Sequence, residues 1–211
     1  MIAVVDFGAG NTRSVLRALR AAGAEARLVR SPSELTEAQR LVLPGVGAAG
    51  SAMASLRSQE MIEPIRAWVA AGRPFLGICL GAQLMLDASE EDDAPGLGLL
   101  PGVCRRFPPA AAGGPERVPH IGWNRVELRG GEGFVAYFVH GYWLDPADAG
   151  AIIGRTEVDG FSFPSLIRAG SMLGTQFHPE KSAGAGRALL AAWAHGLLDG
   201  AVVPQEAAAW S

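Results

Sequence analysis

Short apolar runs alternate with stretches of helical periodicity over residues 1–90. IAVVDF (2–7) is continuous and β-branched, the pattern of a strand buried on both faces. After GAGN, the stretch TRSVLRALRAAG places Val15, Leu16 and Leu19 at helical spacing and ends on Gly23, a residue favoured just past a helix end. EARLVR (25–30) and RLVLPG (40–45) read as two further strands, the second closed by Pro and Gly. SAMASLRSQEMIEPIRAWVAAG (51–72) reads as helix, with Pro64 starting or kinking a second segment. PFLGI (74–78) is the next strand, and LGAQLMLDAS continues it as a helix. This alternation predicts βαβ units and a parallel sheet.

Beyond Ala94 the helical spacing disappears. PGLGLLPGVCRRF, HIGWNRVEL, GFVAYFVHGYW, AIIGRT, PSLIRAG and MLGTQF are short, turn-bounded strand candidates, which predict an antiparallel or mixed extension of the same sheet. Residues 108–117 read as a flexible loop by composition, and RALLAAWAHGLL (187–198) as a final amphipathic helix. The predicted fold is therefore α/β: an open, mixed, mainly parallel sheet flanked by helices, with an antiparallel extension. Residues 1–198 are expected to form a single domain and 199–211 a loosely held tail.

Composition narrows the function classes. With 49% hydrophobic and 18% charged residues, the chain has the make-up of a compact globular protein. Its net charge of −3 and the lack of a basic run argue against nucleic acid as a partner. Two cysteines, Cys79 and Cys104, are too few for a disulfide framework. The first residues lack a basic region and cleavage site, and no apolar run reaches membrane-spanning length. A soluble, cytoplasmic protein is expected.

The candidate chemistry starts at Cys79. In G-I-C-L-G, Gly77 and Gly81 flank it at the spacing of a nucleophile elbow, where a sharp strand-to-helix turn pushes one side chain out above a sheet. A thiol nucleophile needs a base, and a group that orients the base. His195 reads as a capping or solvated residue; His120 and His140 fit satisfied strand histidines. His178 instead follows a strand directly, with Pro179 enforcing an extended exit and Glu180 two residues on, within reach of the ring. A Cys-His-Glu constellation at strand ends is the result, and parallel sheets carry their sites at those ends. Leu80, at the helix start, is expected to offer its N–H to an oxyanion, and Gln83, one helical turn after Cys79, to reach a substrate. GAGN lacks the third glycine of a dinucleotide site and reads as a tight turn with Asn11 capping the following helix.

FLGICLGAQLML and GTQFHPEKS, in that order, resemble the two signatures of class I (triad-type) glutamine amidotransferases. Within that family, VVDFGAGNTRSV, LVLPGVGAAG, VPHIGWN and YFVHGYW resemble the glutaminase subunits of imidazole glycerol phosphate synthase, over residues 2–182. Phe7, Ala82 and Gly141 depart from the usual residues without touching the triad. The resemblance implies a flavodoxin-like fold and hydrolysis of glutamine through a thioester on Cys79, with no cofactor and no metal. It implies a second oxyanion N–H from Val46 in Pro44-Gly45-Val46-Gly47. It also implies glutamine contacts from Gly47, from Glu91 and from the backbone at His140, Gly141 and Tyr142. By its letters alone, Glu91 belongs to the solvated charge run SEEDD.

Released ammonia is mostly protonated in neutral water, and the chain shows no second active site. It is therefore expected to be half of a complex. The resemblance implies as partner the cyclase subunit HisF, a (β/α)8 barrel. Asn11, Trp123 and Lys181, in or beside loops at the active-site edge of the sheet, are the expected contacts with it. The rival readings are a glutaminase serving another synthase, such as that of pyridoxal phosphate, a cysteine hydrolase or peptidase on the same scaffold, and a non-catalytic regulatory module.

Overall fold

In the computed structural model, which describes residues 1–8 and 10–198, the expected alternation is present. The order is β1 (Ile2–Val5), α1 (Thr12–Ala21), β2 (Ala26–Val29), β3 (Arg40–Gly45), α2 (Ala49–Ser58), α3 (Ile62–Ala70), β4 (Phe75–Cys79) and α4 (Leu80–Gln83). Gly23 ends α1 as expected: it sits at φ 79°, its N–H donates to Arg20 O, and the Ala24 N–H donates to Leu19 O. The 51–72 helix is two helices. Glu60, at φ 57°, closes α2, and Pro64 lies in the first turn of α3, where its missing N–H is harmless.

The expected helix 80–89 is a single turn. The carbonyls of Leu84, Met85 and Leu86 accept N–H groups from residues 97–100 and are not available to continue a helix. Gly96 packs so closely on the Leu86 carbonyl that no side chain fits there. Long-range pairing outcompetes local propensity.

The second half contributes β5 (Ala88–Ser89), β6 (Ala94–Pro95), β7 (Gly102–Arg106), β8 (His120–Leu128), β9 (Phe134–His140), β10 (Tyr142–Pro146), β11 (Ile152–Val158), β12 (Phe161–Ala169) and β13 (Met172–Thr175). It ends in α5 (Ala183–Ala194), which starts and stops four residues before the expected 187–198. Among the described residues the strands form a nine-stranded sheet, β2-β1-β3-β4-β13-β12-β11-β8-β9, and a separate four-stranded sheet, β10-β7-β5-β6. Pairing is parallel from β2 through β13 and antiparallel from β12 through β9. The expected extension of one sheet is thus only part of the arrangement. GFVAYFVHGYW splits at Gly141, β9 staying on the large sheet and β10 entering the small one. The expected tail at 199–211 lies outside the described residues.

The parallel strands are apolar on both faces because both are covered. Ala3, Val5, Leu41, Leu43 and Phe75 share a core with Met53, Leu56, Ile65 and Trp68 of α2 and α3. The alternate positions Ile2, Val4, Val42, Leu76 and Ile78 share a core with Val15 and Leu19 of α1 and with Leu189, Leu190 and Trp193 of α5. Each such side chain contributes roughly 1.5–3 kcal/mol by leaving water. The register between these strands then fixes what meets at their carboxyl ends: Gly45 stands opposite Cys79, and Thr175 opposite Ile78.

Candidate active site

Cys79, the last residue of β4, sits at φ 51° and ψ −109°, a region that residues with a side chain rarely occupy. The sequence explains how it is held there. A Cβ on Gly77 would lie 2.7 Å from the Gly81 carbonyl, and one on Gly81 would run into the Leu43 carbonyl of β3. On Gly45 it would meet Leu80 at 2.9 Å. With these three glycines, α4 turns back directly over β3 and β4. Leu80 opens α4, so its N–H is among those that a helix leaves unpaired at its start.

On the neighbouring strand, His178 follows β13 in extended conformation, at φ −98° and ψ 95°. Its backbone N–H donates to Tyr137 O at 2.9 Å, and Ser182 Oγ donates to its carbonyl at 2.6 Å, which ties this turn to β9. The ring's Nδ1 donates to Glu180 Oε1 at 2.9 Å, both side chains being 1% exposed. Its Nε2 has no hydrogen-bond partner. Burial opposes protonation of this ring, but the nearby Cys79 sulfur and the Glu180 carboxylate outweigh it and raise His178 to about 10. The pocket thus favours the protonated form of His178. Cys104 is the contrast: burial pushes its thiol far up, as expected of a space-filling cysteine.

A cavity of about 280 Å³ opens beside Cys79. Val46, Leu80, Gly47, Gln83, Glu91, His140, Gly141 and Tyr142 all line it, so the residues expected from different parts of the chain share one wall. Pro119 and Val139 line it too, and nothing in the sequence singled them out. Glu91 is no solvated charge: its Oε2 accepts the Ala49 N–H at the start of α2, and burial raises its carboxyl above the usual range. Gln83 lines the cavity with one end of its amide already engaged. Its Nε2 donates to Tyr142 O at 3.0 Å and to Gln176 Oε1 at 3.4 Å. Only its amide oxygen is left for a ligand.

Asn11 also behaves differently from the expectation. It occupies the position before α1, but its side chain makes no capping bond; Nδ2 reaches Glu180 Oε1 at 3.3 Å. Trp123 is 55% exposed and packs edge-on against Tyr137 at 5.9 Å between centroids. Lys181 Nζ lies 5.7 Å from the same ring. Trp123 and Lys181 therefore share one exposed face through Tyr137, whereas the Asn11 side chain lies against Glu180. His120 and His140 are satisfied strand histidines: His120 Nδ1 donates to His140 Nε2 at 3.1 Å, and His140 Nδ1 donates to Tyr142 O at 2.7 Å. Burial lowers both, His140 to about 3. His195 ends α5, its ring bonded to Ala22 O.

The model of the family "Glutamine amidotransferase class-I" matches residues 3–195. "Imidazole glycerol phosphate synthase subunit HisH" of Streptococcus sanguinis is 44% identical over 198 residues, covering 90% of this chain and 93% of that protein. "Imidazole glycerol phosphate synthase hisHF, chloroplastic" of Arabidopsis thaliana is 41% identical over 215 residues, covering 98% of this chain and 36% of that one. A solved structure titled "Crystal structure of glutamine amidotransferase" superposes with a TM-score of 0.70 at 24% identity, over 85% of this chain and 90% of that one, which shows the shared fold. The match runs unbroken from the first strand, through the strained cysteine, to the last helix, and the chain belongs to the class I glutamine amidotransferase family, on its HisH branch.

Proposed function

We propose that this chain hydrolyses glutamine to glutamate and ammonia and passes the ammonia to a cyclase subunit, HisF. That partner uses it to form imidazole glycerol phosphate and aminoimidazole carboxamide ribonucleotide in histidine biosynthesis. The observation that carries the reading is the strained Cys79 beside the buried His178–Glu180 pair, at the mouth of an amino-acid-sized cavity. The name of the Streptococcus sanguinis relative supports it, and the Arabidopsis protein, whose name joins both subunits, supports the pairing. A cavity of about 280 Å³ falls at the small end of ligand pockets and gives no support to a peptidase.

In this reading the Cys79 sulfur attacks the side-chain carbonyl carbon of glutamine. The oxyanion takes N–H bonds from Leu80 and Val46. His178 gives the proton it took from the thiol to the departing nitrogen, so ammonia leaves and a glutamyl thioester remains. His178 then takes a proton from water, whose oxygen attacks the thioester; glutamate leaves and the thiol is restored. Glu180 holds Nδ1–H and so keeps Nε2 facing the sulfur. Glutamine is held by Gly47, Gln83, Glu91 and the backbone from His140 to Tyr142.

Residues 1–198 acting as one domain, and a cytoplasmic site of action, belong to the same proposal. Both described cysteines are free, and among the described residues no helix is long and apolar enough to cross a membrane. The test is to give the chain and its cyclase subunit glutamine labelled with ¹⁵N in the side-chain amide, together with the cyclase's nucleotide. Label in the imidazole product supports the reading; unlabelled product with unconsumed glutamine overturns it.

A further inference from the structure

One buried hydrogen-bonded chain leads away from the nucleophile, and the triad does not account for it. Gln176 Nε2 lies 3.9 Å from Cys79 Sγ, within hydrogen-bonding range of a sulfur. Gln176 is fully buried, and its Oε1 accepts from Gln83 Nε2, which also donates to Tyr142 O. The same carbonyl accepts from His140 Nδ1. Beyond it, His140 Nε2 accepts from His120 Nδ1, and His120 Nε2 lies 3.4 Å from Asn124 Nδ2.

A single group fixes the direction of every bond in this chain. The backbone carbonyl of Tyr142 can only accept. The Gln83 atom facing it is therefore the amide nitrogen, whose other N–H points at Gln176. Gln176 must answer with its oxygen, and so turns its own NH2 toward the sulfur. On the other side, His140 must carry its proton on Nδ1, which makes Nε2 an acceptor and His120 Nδ1 a donor. Asn124 then supplies the last donor. Burial disfavours the protonated form of both rings, and with Nδ1–H of His140 held by the carbonyl, its Nε2 is left to accept.

We infer that Gln176 is a further catalytic residue of this site, a fixed N–H donor to the Cys79 sulfur, held in that sense by the Gln83–Tyr142–His140–His120 chain. The inference rests on the glutaminase reading above for its role in turnover. The sulfur's other neighbour explains why a donor is needed. The thiol faces the Val139 carbonyl at 3.9 Å, which favours the protonated form; an N–H from Gln176 favours the anion. Of the groups that titrate nearby, His178 favours the anion, while Glu180 acts through His178; Glu91 and Cys104 stand beyond. Every one of these is unchanged by substitution at 176.

Gln176→Met keeps the length of the side chain and removes the donor. The first measurement is the rate of Cys79 alkylation by iodoacetamide against pH, which needs neither glutamine nor a partner. The half-maximal pH is expected to move up by about one unit, the size of one hydrogen bond to a charged group. In the complete enzyme, kcat falls about tenfold while the KM for glutamine stays within about twofold, since the amide touches the sulfur and not the substrate. A folded Gln176→Met chain with the parent's alkylation profile overturns the inference. If that variant does not fold, the ¹H–¹⁵N side-chain resonance of Gln176 decides. It should move with pH in the parent and stand still in Cys79→Ala; equal behaviour in both overturns the inference. Failure of the parent complex to consume glutamine would instead sink the proposed function and leave the alkylation result standing.

Discussion

Replacing Glu180 with Gln separates what the carboxylate does by charge from what it does by orientation. Oε1 accepts two N–H bonds, from His178 Nδ1 at 2.9 Å and from Asn11 Nδ2 at 3.3 Å. A glutamine in the same rotamer can still accept both through its oxygen. What is lost is the negative charge, and a hydrogen bond to a charged group is worth about 1.5–3 kcal/mol, or roughly one to two pKa units on His178. Turnover should fall about 10- to 100-fold, less than for His178→Asn, which removes the base. The alternative rotamer is far worse. It sets the new NH2 against two donors, or forces the imidazole proton onto Nε2, where the ring can no longer accept from the thiol. Asn11 opposes that flip, because its own N–H requires an oxygen opposite. Asn11→Ala on the parent should therefore cost little in turnover, while Asn11→Ala with Glu180→Gln should cost about tenfold more than the product of the two single effects. The assay is glutamate release by the complex at saturating glutamine. Full activity in Glu180→Gln would remove Glu180 from the mechanism; a double variant equal to the product of the singles would remove Asn11 as its orienter.

Cys79→Ala should abolish glutamine-dependent synthesis yet leave synthesis from ammonium salt at raised pH nearly intact; loss of both would make Cys79 structural. Trp123→Ala, at an exposed side chain of the hairpin face, should weaken association with the cyclase by about 2 kcal/mol with an unchanged Tm, and calorimetric titration giving parental affinity would refute the contact. Without partner and nucleotide, the chain should turn over glutamine at least about a hundredfold more slowly than the loaded complex, and Val46→Pro, lacking the N–H, should be slow in every state; equal rates for the parent alone and loaded would refute activation by the partner. His178 carries the pH dependence of stability: its folded value of about 10 exceeds the ordinary 6.5, so its contribution is complete below about pH 6.5 and is lost as pH rises toward 10. Chemical denaturation of the parent and His178→Asn across that range should show their stability difference shrinking, and a constant difference would refute the shift.

The parallel half of the fold was legible because covering a sheet on both faces demands uninterrupted apolar strands, and IAVVDF, RLVLP and PFLGI have no other use. The placement of Cys79, His178 and Glu180 was legible for a related reason: glycines around a cysteine, and a proline after a histidine, constrain the backbone in ways that the letters record. The misreadings share the opposite cause. LGAQLMLDAS has helical spacing, but its carbonyls are claimed by residues 97–100, far along the chain. Asn11 has a capping residue's identity and position, yet a carboxylate 169 residues away takes its side chain. Gln176 stands two places before His178, and only the packed structure shows its amide beside the sulfur.

The order of strands explains why the two halves of the molecule depend on each other. Three parallel strands, β3, β4 and β13, bring Val46, Cys79 and His178 to one edge, and the turns after β3 and β4 line part of the cavity. The rest of the lining includes Val139 to Tyr142, where the chain leaves the large sheet at Gly141 and enters the small one. The same β8–β9 hairpin carries Trp123 on its outer face and His120, His140 and Asn124 in the hydrogen-bonded chain behind it. Asn124 follows Trp123 directly, so a partner that shifts β8 at the tryptophan acts on the last donor of that chain. The antiparallel extension thus lines the cavity, meets the Cys79 sulfur at the Val139 carbonyl and carries an exposed face, which gives an effect of docking on turnover a physical route.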